Sequence, residues 1–235
     1  MKVLGRELPP PFDDFWERFH AEIPVSAEHI EAGHSVVFGE QGYDLSAPAM
    51  PAWAALPGDD LAYHAAHELY HIVQRQRGYP KTVRGRQYPP DSLEARIGGD
   101  LEEMILHPPL EELLRGEMGF TNDVIRGRML QGALHGVANS PVPEYGTAWF
   151  TTWAIRYCEL QIVLNSDEWA ELGHIFAARS PQVARLGEEL LGIVRDVGWG
   201  TREQALDVLV AVRDSLGLQV KQIALVLDPT TGEIF

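Results

Sequence analysis

Apolar positions along this chain recur mostly at helical spacing. Phe12, Phe15, Trp16 and Phe19 follow Pro11 and predict an opening amphipathic helix, which Pro24 stops. His34 to Phe38 and Tyr43 to Ala47 read as short strands around a Gln41-Gly42 turn, with Ala49 to Leu56 as a further extended piece. Leu61, Ala65, Leu69 and Ile72 then mark one arc of a helix from Asp60 to Arg77, capped by Asp59 and stopped by Gly78 and Pro80. Residues 78–90 form a polar, basic, proline-rich loop. Leu93, Ile97, Leu101, Met104 and Ile105 predict a second helix from Asp91 to His107, weakened at Gly98-Gly99 and ended by Pro108-Pro109.

The rest of the pattern is a series of helices. One follows Thr121 and one covers Tyr145 to Leu164; others start at Ser166 and at Ser180-Pro181. Thr201 and Gln204 make a capping box for the last. A strand from Gln219 to Leu227, a turn through Asp228 to Gly232, and Glu233 to Phe235 close the chain as a hairpin. The prediction is a mainly helical α+β protein of one domain. Its parts are a core at 34–107 with a small sheet beside the first long helix, a helical remainder at 109–217, and the hairpin at 219–235.

Composition changes this picture little. With 235 residues, 45% hydrophobic and 23% charged, the chain is long enough to bury a core without staples. The net charge of -15 argues against nucleic acid or an acidic membrane surface as a partner. Cys158 is the single cysteine, which rules out an internal disulfide and fits a reducing compartment. The first residues are too polar for a signal peptide. The most apolar stretch, Trp149 to Leu164, is broken by Arg156 and Glu159, short of the ~18 uncharged residues of a membrane span. The expected location is the cytoplasm.

The chemistry lies in His67-Glu68-Leu69-Tyr70-His71, an H-E-x-x-H sequence. Residues i and i+4 lie one turn apart on one helical face, so two imidazoles there can grip one ion. Neutral imidazole suits zinc. Glu68 lies about 100° round the helix from His67, where its carboxylate can take a proton from a water activated by the ion. His67 and His71 fall opposite the apolar arc, so the helix can pack by its back and present them to a cleft. His64 shares their face at i, i+3 and i+7, as a solvent-facing residue or a further donor to the site.

HELYH within AAHELYHIVQ resembles the active-site helix of the zincin metallopeptidases, over about 20 residues. The resemblance implies zinc on His67 and His71, with Glu68 as the general base. The third ligand separates the branches. Metzincins place a glycine and a histidine where this chain has Gln74 and Arg77, and the Gly-Thr motif of aspzincins is matched at Gly146-Thr147 without its aspartate. The gluzincin branch, which takes a glutamate from a following helix, fits best, as a minimal gluzincin. Glu94 is the preferred ligand, because it falls within the apolar arc of its helix, where zinc would offset the cost of a buried carboxylate. Glu103, Asp100 and His107 form an alternative face at spacings of three and four.

The function expected is zinc-dependent hydrolysis of a peptide or amide bond, with a peptide or protein substrate held along a sheet edge by strand addition. Arg84 and Arg86 are available to a substrate carboxylate. A non-catalytic zinc module, structural or regulatory, on a zincin-like scaffold is the alternative. A metal-free helical scaffold is the third reading.

Overall fold

The computed structural model describes residues 2–3, 6–23, 28–31, 34–39, 42–46 and 55–235, with side chains over 7–23 and 55–235. The described residues are mainly helical with short antiparallel strands, an α+β composition. The chain divides into two compact units, Met1–Arg77 with Leu110–Met129, and Gly78–Pro109 with Leu130–Phe235. Each has its own hydrophobic core. The stretch 34–107, expected as one core, is shared between them.

In the first unit, β1 (Lys2–Val3) and β2 (Arg6–Glu7) form an antiparallel pair. Helix α1 (Pro10–Phe19) follows, with proline in its first turn as the sequence suggested. Strands β3 (Glu28–Glu31), β4 (His34–Gly39) and β5 (Gly42–Ser46) make an antiparallel sheet in that order. The register sets Phe38 opposite Tyr43 and Gly39 opposite Gly42, so the two predicted strands pair, with Gly42 in the second strand rather than in the turn. β3 lies beside the H-E-x-x-H helix, α2 (Gly58–Gln76). Its sequence, EHIE, has too few apolar residues to announce a strand. The stop expected at Pro24 and most of the extended piece expected at Ala49 to Leu56 lie outside the described residues.

Helix α2 starts two residues earlier than expected. Pro57 occupies the cap position, and Asp59 and Asp60 both lie in the first turn, where carboxylates suit the helix dipole. Asp60 is buried and accepts the backbone N–H of Ile125 at 2.8 Å, in the first turn of α4 (Asp123–Asn139). Phe12, Phe15 and Phe19 of α1 pack in one core with Leu61, Leu69 and Val73 of α2. Burying each such side chain contributes about 1.5–3 kcal/mol. Phe19 meets Tyr70 edge-on at 5.3 Å. Arg77 donates twice to Glu22, at 2.7 Å each, and these bonds hold the Glu22 carboxyl below its ordinary range.

Helix α3 (Leu93–Glu111) corrects the expected stop, because it runs through Pro108 and Pro109. Each proline removes a backbone donor and crowds the preceding turn, at roughly 3 kcal/mol in an ordinary helix interior. Leu110, Leu113 and Leu114 beyond them are buried, and that burial offsets the cost. A π-helical stretch, Glu112–Glu117, follows at once. The Gly98-Gly99 pair does not end the helix. A Cβ at Gly98 would stand 2.6 Å from Thr82 Oγ1, so the glycine admits β6 (Lys81–Val83) to the helix face. Glu102 accepts from the Thr82 hydroxyl at 2.7 Å on the same face.

The second unit otherwise consists of α5 (Ala148–Val163), α6 (Ser166–Arg179), α7 (Pro181–Val197) and α8 (Arg202–Ser215), with β7 (Leu225–Leu227) paired antiparallel to β6. Thr201 and Gln204 close the predicted capping box, and Asn165 with Glu168 forms another ahead of Ser166. Trp153, Tyr157, Trp169 and Phe176 stack edge to face in the core. Gly187 of α7 meets Tyr157 so closely that a Cβ would lie 2.2 Å from its ring. The closing hairpin forms, with paired backbone bonds between Val226 and Phe235, but its first strand is shorter than expected. Among the described residues no helix is long and apolar enough to cross a membrane.

Candidate metal centre

The first unit holds the H-E-x-x-H residues on α2. From Leu61 to Gln74 every side chain is buried except His64, His67 and His71, which are partly exposed. The apolar arc is the anchored back of the helix, and the three histidines form a stripe at spacings of three and four. Leu61, Ala65, Leu69 and Ile72 are all within 2% of full burial, so the helix cannot rotate without uncovering them.

Along the stripe, His67 Nε2 and His71 Nε2 stand 3.1 Å apart, with ring centroids at 4.7 Å and planes at 83°. Two nitrogens each about 2.05 Å from one tetrahedral zinc stand about 3.3 Å apart. The separation therefore fits a shared ion, and no helical distortion is needed to reach it. His71 Nδ1 lies 3.1 Å from Oε1 of the buried Gln74. That oxygen only accepts, so the contact suits a ring protonated at Nδ1, and in the neutral form such a ring has its lone pair on Nε2.

Glu68 is nearly covered, with a side-chain exposure of 4%. Its Oε1 lies 3.9 Å from His64 Nδ1, one turn back. The His64 ring is 6.4 Å from that of His67. His64 therefore borders both the carboxylate and the first imidazole, rather than facing solvent alone. On the other side, the Tyr63 ring lies 5.9 Å from the His67 ring, and its hydroxyl donates to Glu111. Burial raises the Glu111 carboxyl above its ordinary range, against the pull of Arg115 and Arg126. Neither Tyr63 nor Glu111 was singled out from the sequence. Tyr63 belongs to no motif, and Glu111 lies past the prolines expected to end its helix.

The remaining candidates belong to the second unit. Glu94, in the first turn of α3, is partly exposed and lines a cavity of about 480 Å³ with Tyr88, Tyr145, Phe150 and Lys221. Glu103, His107 and Glu159 come together, with their ligand atoms within 4.8 Å of one another. Glu94 and His107 are thirteen residues apart on one helix, about 20 Å along its axis, so they cannot serve the same ion. Asp100 is raised above the ordinary carboxyl range by burial, against Thr152 and Arg156.

Glu159 was read only as an interruption of an apolar run, yet it organises this group. It is buried, accepts from His107 Nδ1 at 3.3 Å, and accepts from Arg156 at 2.5 Å. Burial acts to raise its pKa, but the bond from His107 and the charge of Arg156 prevail and hold it below the ordinary range. Arg156 also reaches Glu103 at 3.5 Å, so a guanidinium already supplies positive charge between the two carboxylates. This is the arrangement of an ion-pair network, and a divalent ion there would have to displace Arg156.

Comparison of the chain with family models, with curated proteins and with solved structures finds no match.

Proposed function

We propose that the protein is a zinc-dependent hydrolase of a peptide or amide bond, with His67 and His71 as metal ligands and Glu68 as the base. The observation that carries this reading is the 3.1 Å separation of the two Nε2 atoms on a helix whose other side chains from Leu61 to Gln74, His64 apart, are buried. The sequence offers Glu94, Glu103, Asp100 and His107 as candidates for a third protein ligand, and the zinc content of the four single variants tests that expectation. Zinc, when bound, supplies a Lewis acid and lowers the pKa of water towards about 7. The chain supplies the rest. Glu68 places a carboxyl group, screened from bulk solvent, directly after His67 and three residues before His71. His64 borders that carboxylate and can hand a proton onwards. A sheet edge in the same unit offers backbone groups to an extended peptide. The buried lone cysteine fits a reducing compartment.

The second reading is a non-catalytic zinc module, favoured by the 4% exposure of Glu68, since a general base has to meet its water. Glu68→Gln separates the two. In a hydrolase the variant keeps zinc and loses roughly 10²- to 10⁴-fold in turnover of a quenched peptide library. Wild-type protein loaded with zinc that cleaves no peptide rules out the hydrolase and leaves the module.

A further inference from the structure

We propose that Gln74 is a positioning residue for the metal centre, which fixes the tautomer of His71; the idea rests on the zinc reading given above. Gln74 lies one turn beyond His71 on α2, with its oxygen 3.1 Å from His71 Nδ1. It is 2% exposed, between the buried Val73 and the exposed Arg75. A buried primary amide costs free energy unless its groups are hydrogen-bonded. An apolar side chain there would pack as well and leave the ring without this acceptor.

The consequence reaches the ion-binding atom. The two nitrogens of a neutral imidazole share one proton, so a proton held at Nδ1 leaves Nε2 with its lone pair. His71 Nε2 is the atom that faces His67 Nε2 at 3.1 Å. Gln74 also limits ring rotation, because turning the ring away from His67 would break the Nδ1 bond. In metal sites such partners set both the tautomer and the direction of the ligand. The residue that sets this chain apart from the metzincin pattern thus has a role of its own.

The test begins on zinc-free protein, by long-range proton–nitrogen NMR of the histidine rings. Wild type shows His71 protonated at Nδ1; Gln74→Met, of similar length and without the acceptor, moves the proton largely to Nε2. Zinc affinity, read by competition with a chromogenic chelator, falls roughly 10- to 100-fold in Gln74→Met. Gln74→Glu, which keeps an acceptor, retains the Nδ1 tautomer and binds zinc as tightly as wild type or more so. A folded Gln74→Met with wild-type tautomer and affinity overturns the proposal while leaving the zinc reading intact. If Gln74→Met does not fold, loss of the Nδ1 tautomer in Gln74→Glu overturns it instead. Wild type that binds no zinc removes the zinc reading and this inference with it, whatever the tautomer.

Discussion

Replacing Arg156 with leucine removes the cation that faces a buried carboxylate. The Glu159 side chain is 7% exposed and relies on Arg156 at 2.5 Å and His107 at 3.3 Å. Breaking a fully buried pair by deleting one member costs about 3–5 kcal/mol. Here the Arg156 side chain is 52% exposed, so its charge is partly screened, and His107 still donates to Glu159. The expected loss is therefore smaller, about 2–3 kcal/mol at pH 7. Removing both charges, in Arg156→Leu with Glu159→Leu, leaves no stranded carboxylate, and the double variant is less destabilised than the sum of the singles. The pH dependence follows from the depressed pKa of Glu159. Its contribution is fully present above the unfolded carboxyl value of about 4.3 and is lost as pH falls through and below it. Glu159→Gln flattens that part of the curve. Urea unfolding followed by tryptophan fluorescence reads the effect, because Trp149, Trp153, Trp169 and Trp199 lie in the second unit, against Trp16 among the described residues of the first. An Arg156→Leu protein within about 0.5 kcal/mol of wild type, or strict additivity in the double variant, would refute the reasoning.

Three other perturbations test the packing. Gly187→Ala drives a methyl into the root of the Tyr157 ring, which cannot swing aside, and should cost about 1–3 kcal/mol in the same urea assay. Asp60→Ala strips the first turn of α4 of its acceptor and should cost about 1–2 kcal/mol, with Asp60→Asn recovering part of it. Burial pushes the Cys158 thiol up to about 12. Native protein at pH 8 should thus resist iodoacetamide, read by mass spectrometry, and react once unfolded. Since the folded thiol keeps its proton longer than the unfolded one, this group lowers stability as pH rises from about 8.5 towards 12.

Local patterns foretold most of the helices, because their signals are short in range. Phe12, Phe15 and Phe19 mark one face, Thr201 and Gln204 lie three residues apart, and Pro181 opens its own helix. The histidine stripe was legible for the same reason, since its spacing is that of the helix itself. What stayed hidden depends on distant partners. Lys81–Val83 pairs with a strand more than a hundred residues later, and nothing in KTV announces it. Helix α3 continues past Pro108-Pro109 because leucines beyond them are buried, a tertiary gain that overrides a local cost. The value of Glu94 was inferred from an assumed burial, and its side chain is in fact partly exposed beside a cavity. Gln74 and Glu159 were visible as residues, but their meaning lies in the imidazoles they orient.

The claim on which the functional account depends is that His67 and His71 close on one divalent ion. Equilibrium zinc titration of metal-stripped protein at neutral pH, with His67→Ala and His71→Ala alongside, tests it most directly. The account predicts a single tight zinc per chain in wild type and loss of that binding in both variants, each still folded by circular dichroism. Wild type that takes up no zinc, or variants that bind it as well as wild type, would contradict it.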